Sequence, residues 1–197
     1  MQHYYSRIPV CSSNERMVYG KINETDFKFV TDNGVFSKKR LDFATEFLLK
    51  TLLKKEEIKG KVLDLGCGYG PIGIVISKLC DADVLMSDIN LRAIELAERN
   101  AFINHVTRID TKDSDCFGSI TEKFDIIITN PPIHTGKTTL YNMYKAAKEH
   151  LNEKGTFYLI INKKHGAPTT IEFLKEVYGS CEVLDKKAGF NVLKCQL

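Results

Sequence analysis

From Lys61 onward, short apolar runs alternate with longer stretches whose apolar positions recur every three to four residues. The runs at 62–65, 84–87, 106–110, 124–129 and 156–161 are predicted strands, that at 106–110 the weakest. Helices are predicted over 71–79, with Pro71 in the first turn, and from an Asn90 cap to about Ile103. Two more follow at 137–151, where Leu140, Tyr141, Tyr144, Ala147 and Leu151 share one face, and at 169–178. Asn152-Glu153-Lys154-Gly155 is a turn between the third of these helices and its strand. Alternation of this kind predicts an α/β fold, a mostly parallel sheet with helices on both faces. Runs at 181–184 and 190–195 around Asp185-Lys186-Lys187-Ala188-Gly189 predict a terminal hairpin, and with it one antiparallel strand at an edge.

The first 55 residues break the pattern. Residues 27–31, then Asp32-Asn33-Gly34, then Val35-Phe36 suggest a hairpin or an extended flap, and 41–53 an amphipathic helix. The expectation is one domain over 1–197, with 1–55 an N-terminal extension and 56–197 the core. Apolar content of 43% and charged content of 27% are ordinary for a globular chain, and a net charge of +3 permits a polyanionic partner without demanding one. No apolar run approaches the ~20 residues a membrane helix needs, and the first residues lack the core of a secretory signal. The expected location is therefore the cytoplasm. The six cysteines are scattered, without zinc-ligand spacing, so no metal is expected.

Two segments carry candidate chemistry. In Phe124-Asp125-Ile126-Ile127-Ile128-Thr129-Asn130-Pro131-Pro132-Ile133 a buried strand stops at an amide followed by two prolines. Proline has no N–H, so this strand end presents one amide side chain and acceptor-only backbone, an arrangement suited to gripping an amino group. In Asp64-Leu65-Gly66-Cys67-Gly68-Tyr69-Gly70 the glycines between strand and helix allow close approach of a ligand. The dinucleotide pattern G-x-G-x-x-G can be traced through Gly68, Gly70 and Gly73, which keeps a nicotinamide oxidoreductase in view. Against it, the carboxylate of Asp64 would repel a pyrophosphate and attract an amine or a sulfonium. Asp88, at the end of the second strand and followed by Ile89, is placed to accept from ribose hydroxyls. After the third strand, Asp115 is placed to meet an adenine amino group, with Cys116 or Phe117 against the ring. Together these residues point to S-adenosylmethionine.

Val62-Leu63-Asp64-Leu65-Gly66-Cys67-Gly68-Tyr69-Gly70-Pro71-Ile72-Gly73, Asp88 and Asn130-Pro131-Pro132-Ile133 resemble the class I S-adenosylmethionine-dependent methyltransferases. More narrowly, the chain resembles the small methyltransferase domain family, which includes guanine-N2 methyltransferases of small-subunit ribosomal RNA. Tyr4-Tyr5-Ser6, Gly34-Val35-Phe36-Ser37, Asp42, Thr45 and Lys163-Lys164-His165-Gly166-Ala167-Pro168 extend the likeness over nearly the whole chain. The resemblance implies a Rossmann-like fold with a seven-stranded sheet whose last strand is antiparallel. It implies cofactor contacts from Asp64, Gly66, Cys67, Gly68, Gly70, Asp88, Ile89, Asp115, Cys116 and Asn130, with Asn130 and the Pro131 carbonyl also holding the target amine. Pro132 and Ile133 complete the catalytic motif; the place of Ile133 is often aromatic, to stack on a flipped base. Members with duplicated methyltransferase-like halves exist, and this chain carries the equivalent of one.

The expected reaction is transfer of a methyl group to an exocyclic base amine in RNA, guanine-N2 of small-subunit ribosomal RNA by resemblance. A base in folded RNA must first leave its stack. His134 offers a flat ring, Phe36 a flap over the site, and Lys163, with Lys38-Lys39-Arg40 and Lys164-His165, contacts to phosphate. The alternatives are adenine-N6, a protein amide or a small molecule as acceptor, the oxidoreductase, and a non-catalytic RNA-binding module.

Overall fold

The structure, a computed structural model, describes residues 7–37 and 40–197; Tyr4-Tyr5-Ser6, Lys38, Lys39 and the side chain of His134 lie outside the described residues. The chain opens with a hairpin, β1 (Arg16–Ile22) and β2 (Thr25–Thr31), and α1 (Phe43–Lys55). There follow β3 (Lys59–Leu65), α2 (Pro71–Leu79), β4 (Asp81–Asp88), α3 (Leu91–Ile103) and β5 (Ile109–Asp113). The second half comprises β6 (Phe124–Thr129), α4 (Lys137–Glu149), β7 (Leu151–Asn162), α5 (Ala167–Tyr178), β8 (Glu182–Lys187) and β9 (Phe190–Gln196).

The seven-stranded sheet runs β5-β4-β3-β6-β7-β9-β8, parallel from β5 to β7. β9 is antiparallel to both neighbours and lies one place in from the edge, which β8 takes. One face is covered by α1, α2, α3 and the hairpin, around Leu48, Ile74 and Met86; the other by α4 and α5, around Tyr144, Phe157 and Leu174. The chain winds outward from β3 to β5, then returns to lay β6 on the other side of β3. A crevice opens at such a reversal, beyond the carboxyl ends of the strands.

The N-terminal hairpin differs from the expected one. Its turn is Asn23-Glu24, both at positive φ (44° and 63°), and it joins 25–31 backward to 16–22. Asp32-Asn33-Gly34 forms a separate loop instead, because the Asp32 carboxylate accepts the N–H groups of Asn14 and Asn33 and stands by Arg92. β5 begins at Ile109 because the Val106 N–H donates to Ala101 and closes the end of α3. Leu151 belongs to β7, not to α4. The register shift between Phe124 and Ile126 on β6 is where 152–155 bulge from β7, with Gly155 against Leu151.

Buried Asn100 ties this half together. Its Oδ1 accepts the Val30 N–H at 2.6 Å, and its Nδ2 donates to the carbonyls of Val30 (2.8 Å) and Tyr69 (2.9 Å). One α3 side chain thus fixes β2 to the glycine loop.

Candidate active site

A cavity of about 590 Å³ lies at the reversal, within the range of small-ligand sites. It draws residues from the ends of β3 (Gly66, Cys67, Gly68), β4 (Asp88, Ile89), β5 (Asp115, Cys116), β6 (Asn130, Pro131, Pro132, Ile133) and β7 (Ile161, Asn162).

The glycine loop is pinned over β4 by the Gly66 and Cys67 N–H groups, both donating to the Ser87 carbonyl at 2.9 Å. Its four glycines divide by what a Cβ would meet. At Gly66 (φ +73°) and Gly68 (φ +57°) a Cβ would meet nothing within 4 Å, so the backbone faces the cavity bare. At Gly70 it would press on Ile74, Met86 and Ala97, and at Gly73 it would come within 2.5 Å of Met86 Cγ. The last two serve helix–sheet packing, and the G-x-G-x-x-G trace therefore mixes two kinds of glycine. Gly70 does not border the cavity.

Nor does Asp64, which is fully buried beneath the loop. Its Oδ2 accepts the Gly73 N–H at 2.8 Å, while Oδ1 has no hydrogen-bond partner. Burial, opposed by that hydrogen bond and reinforced by the charge of Asp88, lifts its pKa from 3.8 to about 7. Asp88 does border the cavity; its Oδ2 accepts the Gly68 N–H (2.8 Å) and its Oδ1 the Asn90 N–H (2.9 Å). Burial raises its pKa as well. Asn90, not Asp88, caps α3, accepting from Arg92 and Ala93. At Cys67 burial first, then the charges of Asp88 and Asp64, raises the thiol pKa. Burial likewise pushes Cys116 to about 11, so neither thiol is an activated nucleophile.

Asn130 stands where β6 meets β3, beside Thr129, whose hydroxyl donates to the Leu65 carbonyl at 2.8 Å. Its Nδ2 donates to Thr45 Oγ1 (3.0 Å) and Asp42 Oδ2 (3.2 Å), both from the start of α1. Asp42 also caps that helix through the Thr45 N–H. Among the described residues no donor reaches the Pro131 carbonyl, whereas the Pro132 carbonyl accepts twice from Thr135.

Phe36, Ser37, Tyr69, Asn162, His165 and Phe190 also border the cavity, as do Asp42 and Thr45 at the start of α1 and Met143 from α4. Of the residues expected at phosphate, His165 borders the cavity and Lys163 does not; the Lys163 N–H donates to Gly189. Tyr69, Asn162 and Phe190 were not singled out in the sequence. Tyr69 stood inside the glycine motif, but nothing local shows that its hydroxyl is buried without a partner. Asn162 and Phe190 reach the cavity only through pairing of β7 with β9, which is non-local.

The family model described as methyltransferase small domain matches residues 26–194. The chain belongs to that family. It is 38% identical over 198 residues to the uncharacterized protein YbxB of Bacillus subtilis, covering 99% of this chain and 98% of that one. It is 42% identical to the ribosomal RNA small subunit methyltransferase C of Haemophilus influenzae over 164 residues, 81% of this chain and 48% of that protein. A solved structure of the Thermus thermophilus 16S rRNA N2 G1207 methyltransferase, with AdoMet and guanosine, superposes with a TM-score of 0.84. It is 28% identical and matches 95% of this chain and 52% of that one. The chain thus spans about half the length of these two relatives.

As a member of the methyltransferase small domain family, the chain is an S-adenosylmethionine-dependent methyltransferase with the Rossmann-like fold described. The family places the G-x-G-x-x-G trace with methyl transfer, not with nicotinamide chemistry. The cavity fits the cofactor: two glycines leave room a side chain would fill, and a carboxylate closes β4 beside them. Among the described residues no helix is long and apolar enough to cross a membrane.

Proposed function

We propose that this methyltransferase acts on RNA, methylating the exocyclic N2 amine of a guanine in small-subunit ribosomal RNA. The observation that carries the amine is Asn130, whose amide nitrogen is held by α1 while its residue borders the cavity beside the Pro131 carbonyl. Support for RNA and for guanine comes from the relatives that carry those words in their names. The site reads as two halves. Gly66, Gly68, Asp88, Ile89, Asp115 and Cys116, at the ends of β3 to β5, form the cofactor half; Asp64 acts on it from beneath, through its field. Asn130, Pro131, Pro132 and Ile133, after β6, form the acceptor half.

S-adenosylmethionine supplies an electrophilic methyl group on a sulfonium. The base amine is a poor nucleophile because its lone pair is delocalised into the ring. Two acceptors on its N–H groups, Asn130 Oδ1 and the Pro131 carbonyl, orient the nitrogen and stabilise the positive charge it gains. The nitrogen becomes acidic as it alkylates and releases its proton without a strong base. A neutral amide suits this place better than a carboxylate, which would add a charge to a partly dry pocket. Ile133 and Phe36 both border the cavity and are the side chains we assign to pack against the base.

The protein is read as a single methyltransferase domain over 1–197, working in the cytoplasm on RNA. The test is mass-spectrometric mapping of modified nucleosides in ribosomal RNA from cells with and without the gene. Loss of one N2-methylguanosine from small-subunit RNA is expected. Loss of N6-methyladenosine, or methyl incorporation into protein alone, would overturn the guanine assignment.

A further inference from the structure

Asn130 is held from a second element, α1, whose first residues Asp42 and Thr45 form part of the same cavity's wall. The start of α1 supplies two acceptors to the amide nitrogen, Thr45 Oγ1 at 3.0 Å and Asp42 Oδ2 at 3.2 Å. Asp42 is itself fixed, since the same Oδ2 accepts the Thr45 N–H at 2.9 Å as the N-cap. A carboxylate only accepts hydrogen bonds, so the amide must turn its NH₂ toward α1. Its oxygen then faces away from α1, and among the described residues no donor reaches it. Thr45 is buried, which shields its contact with the amide from bulk water, while Asp42 and Asn130 are both half-buried.

Orientation of this amide has chemical consequences. Asn carries a donor and an acceptor of nearly equal size, and a free side chain can present either. With the oxygen inward, it pairs with an acceptor nitrogen that carries hydrogen. With NH₂ inward, it would pair with a bare ring nitrogen and leave an amine's hydrogen unmatched. We propose that Asp42 and Thr45 are positioning residues that lock the Asn130 carboxamide oxygen toward the cavity, and thereby select a hydrogen-bearing nitrogen, such as an exocyclic amine, over a bare ring nitrogen as methyl acceptor. The inference rests on the amine reading above and goes further by naming what enforces it.

The decisive variants exchange polarity across the pair. In Asn130→Asp two carboxylates face each other at about the 3.2 Å contact, and methyl transfer should fall at least a hundredfold. In the double variant Asp42→Asn/Asn130→Asp the new amide at 42 can cap α1 and donate to the new carboxylate at 130, which still presents an acceptor to the substrate. The double variant should recover at least tenfold over Asn130→Asp. Thr45→Val should lower kcat about tenfold at unchanged KM, and Thr45→Ser should restore it. S-adenosylhomocysteine affinity, measured by calorimetry, should stay within about twofold in all of these.

A second measurement needs no substrate. The Asn130 side-chain amide protons, assigned by their loss in Asn130→Asp, should exchange with solvent at least tenfold faster in Thr45→Val than in the wild type. If the wild type methylates RNA but the double variant recovers nothing and amide exchange is unchanged, the lock is wrong. If the wild type methylates no amine while the amide protons are protected as described, the functional reading fails and the lock stands.

Discussion

Asn130 does its work through a division of its own side chain. The nitrogen is spent on α1, and the oxygen is left for substrate. Removing the side chain should cost roughly 2–4 kcal/mol of transition-state stabilisation, about the value of one preorganised donor or acceptor at a reacting centre. Asn130→Ala should therefore lower kcat/KM by roughly 30- to 1000-fold while S-adenosylhomocysteine affinity changes little; a variant that loses cofactor instead would place Asn130 in the wrong half. Asp64 makes a different prediction. Its folded pKa of about 7 lies above the unfolded 3.8, so between these values the folded state holds the proton more tightly than the unfolded one. Stability should therefore fall as pH rises from about 4 to 7, by up to roughly 4 kcal/mol for this group, and level off above. Asp64→Asn keeps an acceptor for the Gly73 N–H and removes the titration. Urea unfolding across that pH range should show a shallower slope in the variant, the remainder coming from Asp88, whose raised pKa acts in the same direction.

At the scale of elements, the glycine loop joins two functions that sequence spacing alone leaves undivided. Gly68→Ala places a methyl group in open space at φ +57°, a strain of about 1–2 kcal/mol, and fills room meant for ligand. Gly73→Ala drives a Cβ into Met86 at the seam of α2 and β4. Calorimetry and thermal unfolding should separate them. Gly68→Ala should lose at least tenfold in S-adenosylhomocysteine affinity with a modest drop in Tm. Gly73→Ala should lose more stability and keep its affinity in the fraction that remains folded. The reverse pattern would mean that the loop contacts its ligand through α2. The N-terminal hairpin shows where local reading stops. Asn23-Glu24 adopts positive φ without a glycine, so the stronger-looking Asp32-Asn33-Gly34 drew the turn to the wrong place. Only the capture of Asp32 by Asn14 and Arg92, distant in sequence, determines otherwise.

Across the whole molecule, the alternation of strands and helices was legible because most of the runs are largely apolar and each intervening helix carries its own stripe or cap; the order of the strands, and the polar β5 with its Asp110, Lys112 and Asp113, were not. The cofactor half of the site was legible for the same reason: its residues sit directly after their strands. Asp64 was found as a charged residue at the right strand, but its burial under the loop depends on α2 packing, which spacing does not reveal. Asn162 and Phe190 reach the cavity from β7 and β9, whose pairing joins residues far apart in the chain. The two halves meet because the winding reverses at β3, which lays β6 parallel beside it and brings Leu65 within hydrogen-bond reach of Thr129. That single reversal sets the amide of Asn130 beside the bare backbone of Gly66 and Gly68. The measurement that tests this most directly is incubation of purified protein, S-adenosylmethionine and small ribosomal subunits lacking the modification, followed by nucleoside mass spectrometry of the recovered RNA. The site described here predicts N2-methylguanosine at a single position, abolished by Asn130→Ala; RNA without a new methylated nucleoside, or one methylated on a ring nitrogen or carbon, would contradict it.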